Sequence, residues 1–273
     1  MKQKMMALFL GICLLCTACA GTNKQKTEIE TPENQQDELQ EGQVQQGAVP
    51  EIVYTDYSQE LAEEDTGTVV LKVEENCPVV TLKQNEEAQN LINRVFEQQH
   101  AKNETKIESE YSTAEDDFSG LEEEELELWN VHSYSYLYEN MYMSSKILSM
   151  KASQRVENGE EQPYQDVVAY TFYVPEGKLL TLSDVFSDVS MARMIVEPYI
   201  QETVTSEKYA KYLLEDYESY VSDILTEDDF YLSAQGLVII CNTNLLTEYE
   251  AGVIEITVPY EVLKDVMNEQ YLP

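Results

Sequence analysis

The sequence predicts an α+β fold, a largely antiparallel sheet with helices packed on it, preceded by a signal peptide and a disordered tether. Three observations carry this. Apolar residues alternate with polar ones in several segments between Thr66 and Val258. Helical spacing appears between some of these segments, without the regular strand–helix alternation of a parallel sheet. Aromatic content reaches 10%, with 19 tyrosines, enough for most of the chain to bury a core.

At the N-terminus, Lys2 and Lys4 precede an uncharged, mostly apolar run from Met5 to Ala18. As a helix this run would rise about 21 Å, short of the roughly 30 Å hydrocarbon core, so it reads as a secretory signal rather than a span. Thr17-Ala18 followed by Cys19 resembles a bacterial lipobox, with Cys16 where Leu is usual. On that reading residues 1–18 are cut away and Cys19 carries the lipid anchor on the outer face of the cytoplasmic membrane. The alternative is an ordinary cut near Ala20 and a secreted protein. Residues 19–50, with seven glutamines after Cys19 and no aromatic, form a flexible tether.

Folded sequence is expected from Glu51. TGTVVLKV places Val69, Leu71 and Val73 on one face and Thr68, Val70 and Lys72 on the other, a half-buried strand, and PVVTL follows as a second, short one. Asn85 caps a helix in which Ala88, Leu91, Ile92, Val95 and Phe96 face inward. Between Ser109 and Glu127 an acidic run reads as a loop or a fraying helix. Strands are expected in Trp129–Met143, KILSMKASQRV and YQDVVAYTFYV; the unbroken VVAY implies a strand covered on both faces. GKLLTLSDVF leads into a helix capped by Ser183. A helix from about Glu207 to Leu225 would collect Tyr209, Tyr212, Leu213, Tyr217, Tyr220 and Ile224 on one face. FYLSAQGLVIIC and VIEITV complete the strands, before a helix opened by Pro259. The division is a first part over 51–164 and a second over 165–273.

Chemistry is sparse. No HExxH, paired CxxC, phosphate loop or calcium-loop spacing occurs. Nothing in the sequence places His100 or His132 beside an activated Ser or Cys, and no catalytic, cofactor or metal residues are assigned. The 52 acidic residues make any carboxylate pair uninformative, and DDFSGLEEEELE reads as a solvated acidic loop ahead of a calcium site. Cys77 and Cys241 fit a disulfide or two buried thiols equally. Tyr134, Tyr136, Tyr138 and Tyr142 share one strand face, which favours burial against the 207–225 helix over display to a ligand. The formal charge is −35, and loss of Lys2 and Lys4 with the signal takes it to −37. That charge repels nucleic acid and anionic headgroups and favours cationic partners.

Three stretches, YTFYVPEGKLLTLSDVF, DDFYLSAQGLVIICN and YEAGVIEITVPYEVLKD, resemble in order a bacterial extracytoplasmic domain family over roughly residues 165–264. That family includes the outer, lysozyme-binding part of the sigma-V anti-sigma factors and occurs beside a polysaccharide deacetylase domain. The resemblance implies a non-catalytic module for lysozyme or another cationic envelope protein; a peptidoglycan-acting or deacetylase-accessory enzyme is the alternative. Two loops depart from the family pattern. ENGEEQPYQD has one Gly and no His where Gly-Gly-x-His is frequent, and Asn242-Thr243-Asn244-Leu245-Leu246 replaces Asn-Pro-Tyr-Glu-Ile. With no inner anti-sigma segment and no fused deacetylase domain, the chain is expected to bind rather than to relay a signal or cut a glycan.

Overall fold

The computed structural model describes residues 48–160 and 162–273; the leader, Cys19 and the tether to residue 47 lie outside the described residues. The fold is α+β. A six-stranded sheet runs in the order β1 (Glu51–Ala62), β2 (Val69–Thr81), β3 (His132–Met143), β4 (Ile147–Glu157), β5 (Tyr164–Tyr173) and β6 (Lys178–Leu179). All neighbours are antiparallel except β2 and β3, which the long helix α1 (Glu86–Ser119) connects in parallel. A second, antiparallel sheet comprises β7 (Phe230–Leu232), β8 (Gly236–Cys241) and β9 (Ile254–Pro259). The helices α2 (Leu182–Val185), α3 (Val189–Val204) and α4 (Tyr260–Leu263) complete it.

α1 covers one face of the large sheet. Phe96 meets the edges of Tyr138 and Phe172 there, and Tyr134 and Tyr136 are buried in the same core. Val167 and Ala169 point to the opposite face, against Tyr231, Val238 and Ile240 of the small sheet. β5 is therefore covered on both sides, as VVAY implied. The small sheet builds its own core with α3, where Ala192, Val196, Ile200 and Val204 recur every fourth residue.

Several expectations are corrected. β1 is an unforeseen strand: it is an edge, bonded on one side only, and its residues are mostly exposed and polar. The two short strands expected over 68–82 are one strand, because β1 pairs with it along nearly its whole length; Val70 is buried as deeply as Leu71. The acidic run is helical as far as Ser119 and loops out only over residues 120–125, ahead of a 3-10 turn at Leu126–Leu128. α1 continues to Ser119 because Asn103, Glu110, Ala114 and Phe118 keep one buried face, and Lys106 Nζ sits 2.6 Å from Glu110 Oε1. Leu91, expected inward, is exposed.

Thr181, not Ser183, caps α2, in a reciprocal capping box with Asp184. The helix expected over 207–225 is absent. In its place stand short 3-10 turns at Ala210–Tyr212, Tyr217–Ser219 and Val221–Asp223. The backbone is drawn away to residues 246–248 instead: Leu214 N–H donates to Leu246 O at 3.1 Å and Glu248 N–H to Tyr212 O at 2.7 Å. Helical bonding runs through α3, capped by Asp188 and tolerating Pro198. The tyrosine row therefore receives α1 rather than that segment, and Tyr142, past a bulge in β3, joins the other core.

Two glycines fix close approaches. A Cβ on Gly177 (φ +63°) would collide with the Ala88 backbone at the start of α1, and one on Gly236 would collide with the Val258 carbonyl of β9. Cys77 and Cys241 are buried free thiols in separate cores. Burial pushes the Cys77 thiol up to about 11 and the Cys241 thiol up to about 12, so both are protonated and unreactive.

Candidate functional site

The free edge of β5 is where the two sheets meet, and loop side chains occupy it. Asn242, just past β8, pairs its carboxamide with Val167: Val167 N–H donates to Asn242 Oδ1 at 2.9 Å, and Asn242 Nδ2 donates to Val167 O at 2.9 Å. Asn242 thus stands in for a neighbouring strand. Thr243 Oγ1 donates to Gln165 O at 3.3 Å, and Ala169 N–H donates to Asp228 O at 2.7 Å. Leu180 N–H reaches Thr171 O at 2.8 Å, which closes the row.

Beside this seam opens a cleft of about 800 Å³, bounded by the turn after β4, the start of β5, residues 226–229 and the turn after β8. The two loops that depart from the family pattern, 157–166 and 242–246, thus face each other across one cleft. Asn244 takes a left-handed backbone (φ +61°) at the tip of the second.

Asp166, Asp228 and Asp229 line the cleft, and among the described residues none has a Lys or Arg within ion-pair distance. Burial raises the Asp166 carboxyl above the usual range, against help from the Val167 N–H and Tyr164 hydroxyl, and the Asp228 charge adds to the rise. Burial likewise raises Asp229; Thr226 donates a hydrogen bond that opposes this, and the charges of Asp166 and Asp228 reinforce it. The half-buried carboxylates of Asp166 and Asp229, with the exposed Asp228 beside them and no counter-ion in reach, favour a cation supplied from outside. Among the described residues no three His, Cys, Asp or Glu are grouped to hold a metal ion.

The histidines lie elsewhere. His100 Nδ1 sits 2.7 Å from Glu75 Oε2, its ring stacked on Tyr57, and Asn103 Nδ2 donates to Glu75 Oε1 at 2.8 Å. Cys77, Glu97 and His100 line one hollow of about 260 Å³, but burial first, then the Glu75 and Glu97 charges, raise the thiol, the opposite of nucleophile activation. His132 is buried beside Trp129, with Nε2 3.7 Å from Asp117 Oδ2; burial lowers its pKa against the pull of Asp117 and Glu110.

Sequence reasoning named none of the cleft carboxylates. Asp228 and Asp229 stood within a quoted stretch, DDFYLSAQGLVIICN, but nothing in the sequence brings them to Asp166. The one available signal was that two loops depart from the family pattern together.

The described residues thus define an α+β domain whose two sheets meet at an acidic cleft. Residues 183–261, from α2 into α4, match the model of a family described as a protein of unknown function, DUF3298. Two crystal structures of DUF3298 family proteins share the fold. One, from Bacteroides fragilis, is 16% identical with a TM-score of 0.63, the match covering 82% of this chain and 96% of that one. The other, from Pseudomonas aeruginosa, is 10% identical with a TM-score of 0.50, over 82% and 96% of the two chains. No curated protein matches the sequence.

Proposed function

We propose that this chain is a membrane-anchored extracytoplasmic lipoprotein whose α+β domain binds a cationic envelope protein without catalysis, lysozyme being the candidate partner. The observation that carries this reading is the cleft in which Asp166, Asp228 and Asp229 have no Lys or Arg within ion-pair distance among the described residues, on a chain of formal charge −35. A basic side chain entering the cleft would relieve the mutual repulsion of these carboxylates, while the wider field speeds encounter. The resemblance of residues 165–264 to a lysozyme-binding domain supports the choice of partner, and the Thr17-Ala18-Cys19 sequence supports the anchor.

The test is calorimetric titration of the intact protein with lysozyme at about 50 and about 200 mM salt, a range over which screening sharply weakens surface charge effects. Saturable one-to-one binding at both salts, weakened in the triple variant Asp166→Asn, Asp228→Asn, Asp229→Asn, is the expected result. Heat that vanishes at the higher salt would reduce the interaction to general charge attraction and overturn the reading. Separately, Cys19→Ala should abolish labelling of the protein by a radioactive fatty acid in growing cells.

A further inference from the structure

The acidic cleft does not end at β5. Asp166, Val168 and Asp228 also line a hollow of about 330 Å³ between α1 and the sheet. Gln99, Lys102 and Gln154 are shared by that hollow and a third, of about 570 Å³, and Tyr164 and Glu160 lead from the third back to the cleft. Three depressions therefore form one bent groove around the first half of β5, an elongated shape that suits a chain-like ligand.

We infer that this groove binds a linear oligosaccharide, read by side-chain amides and carboxylates and stacked on Tyr164. A peptide laid along the groove would be expected to pair with the sheet edge, but Asn242, Thr243, Asp228 and Leu180 already take Gln165 O, Val167 N–H and O, Ala169 N–H and Thr171 O along the edge of β5. Recognition falls to side chains. Gln99 donates to Asn103 at 2.9 Å and Gln154 to the Tyr134 hydroxyl at 3.5 Å, which orients both amides and leaves their carbonyl oxygens to accept from a ligand. Asp166 and Asp228 add acceptors suited to sugar hydroxyls. Tyr164, 52% exposed where the cleft meets the third depression, offers the flat apolar face against which a pyranose ring stacks. A neutral polyhydroxyl chain meets these carboxylates without the Coulomb cost that an anionic polymer would incur.

This inference does not rest on the protein-binding reading, and its test uses no lysozyme. The intact protein is titrated by calorimetry with the tetramer of β-1,4-linked N-acetylglucosamine and, separately, with cellotetraose. Binding of the acetylated tetramer with a Kd below about 1 mM is expected. Tyr164→Ala should weaken it about tenfold, since one aromatic stacking contact is worth roughly that factor, and Tyr164→Phe should retain most of it. Gln154→Ala should weaken it as well. Both positions are partly or well exposed, and coincident thermal melts would confirm that the variants fold. Equal binding of cellotetraose supports an oligosaccharide groove that ignores the acetamido group. No heat from either tetrasaccharide at about 10 mM, a concentration well above any useful Kd, overturns the inference. So does binding that Tyr164→Ala and Gln154→Ala both leave unchanged.

Discussion

The small-sheet half of the molecule and the α1 half are held by partly different means. In β8 all six residues are buried, and the strand lies so close to β9 that only glycine fits at position 236. In β1 the residues are mostly exposed, and the aromatic core of the α1 half is supplemented by polar contacts between residues distant in sequence. Asn93 exchanges hydrogen bonds with Val80 and Asn76 with Tyr138, and Asn103 donates one to Glu75. Both halves bury an apolar core, and the α1 half adds amide and carboxylate clamps that tie its elements together.

The largest effect that would test this contrast is at Gly236. Alanine there drives a Cβ into the Val258 carbonyl, and since the clash is with backbone, β8 and β9 must part. A loss of about 3 kcal/mol or more is expected in urea unfolding. Gly67, at positive φ (+71°) but with open space around a Cβ, should lose only about 1 kcal/mol on the same change. Equal losses would mean that the small sheet is not as tightly closed as described.

In the α1 half the matching test is Glu75. Its buried carboxylate joins β2 to α1 through Asn103 and His100, so Glu75→Ala leaves the buried Asn103 amide short of an acceptor. A cost of about 2–3 kcal/mol follows, and Glu75→Gln, which retains an acceptor, should cost less than half of that. If the glutamine variant is as damaged as the alanine one, charge rather than hydrogen bonding holds the helix down.

The difference between the halves also explains what could be read from the sequence. The strands β4, β5, β8 and β9 were legible because their apolar patterns are local, and Asn85 was legible as a cap because its side chain accepts from Ala88 N–H three residues on. β1 was not, since an edge strand with polar residues on it carries no local signature. The C-terminal part of α1 looked like a loop because its acidic residues mask a buried stripe of Glu110, Ala114 and Phe118. The cleft was the least legible of all. Asp166 lies about 60 residues from Asp228 and Asp229, and the amide that joins their segments is a single Asn242 whose role depends on the facing strand.

A smaller, pH-dependent effect separates the cleft from the rest of the small-sheet half. Asp166 has its folded-state pKa raised, so it favours folding when protonated; that contribution is present below its unfolded pKa and lost as pH rises through the folded value. Asp166→Asn should therefore stabilise the protein slightly at pH 7, and the gain should fade toward pH 4. Glu255 has the opposite sign. Burial would raise it, but Lys151, with Nζ 2.6 Å from Oε1, and the Tyr231 hydroxyl, 2.7 Å from Oε2, outweigh that and hold it low. Its contribution is present above the unfolded pKa and lost as pH falls through the lowered folded value. Glu255→Gln should then destabilise the protein at pH 7, with the deficit shrinking in acid. Thermal melts of both variants across pH 4–7 check the pair, and parallel pH curves would mean that the cleft carboxylates are no more strained than Glu255 in its ion pair with Lys151.

The smallest effect bears on the segment 207–225, where the tyrosine pattern suggested a helix face. Tyr220 is 47% exposed at the joint between two 3-10 turns, while its neighbour Val221 is buried against α3 and the small sheet. Truncating Tyr220 to alanine should change stability by no more than about 0.5 kcal/mol, the range of surface substitutions. Val221→Ala, which removes buried methyl groups, should cost about 1–2 kcal/mol. Were the segment a helix with its tyrosines inward, the order would reverse, because an inward Tyr220 would carry far more buried area than a valine. Urea unfolding of the two variants side by side decides between a tyrosine face and a chain drawn aside to pair with residues 246–248. The same draw brings Leu246 and Thr247 into the core and sets the turn at Asn244 over the cleft.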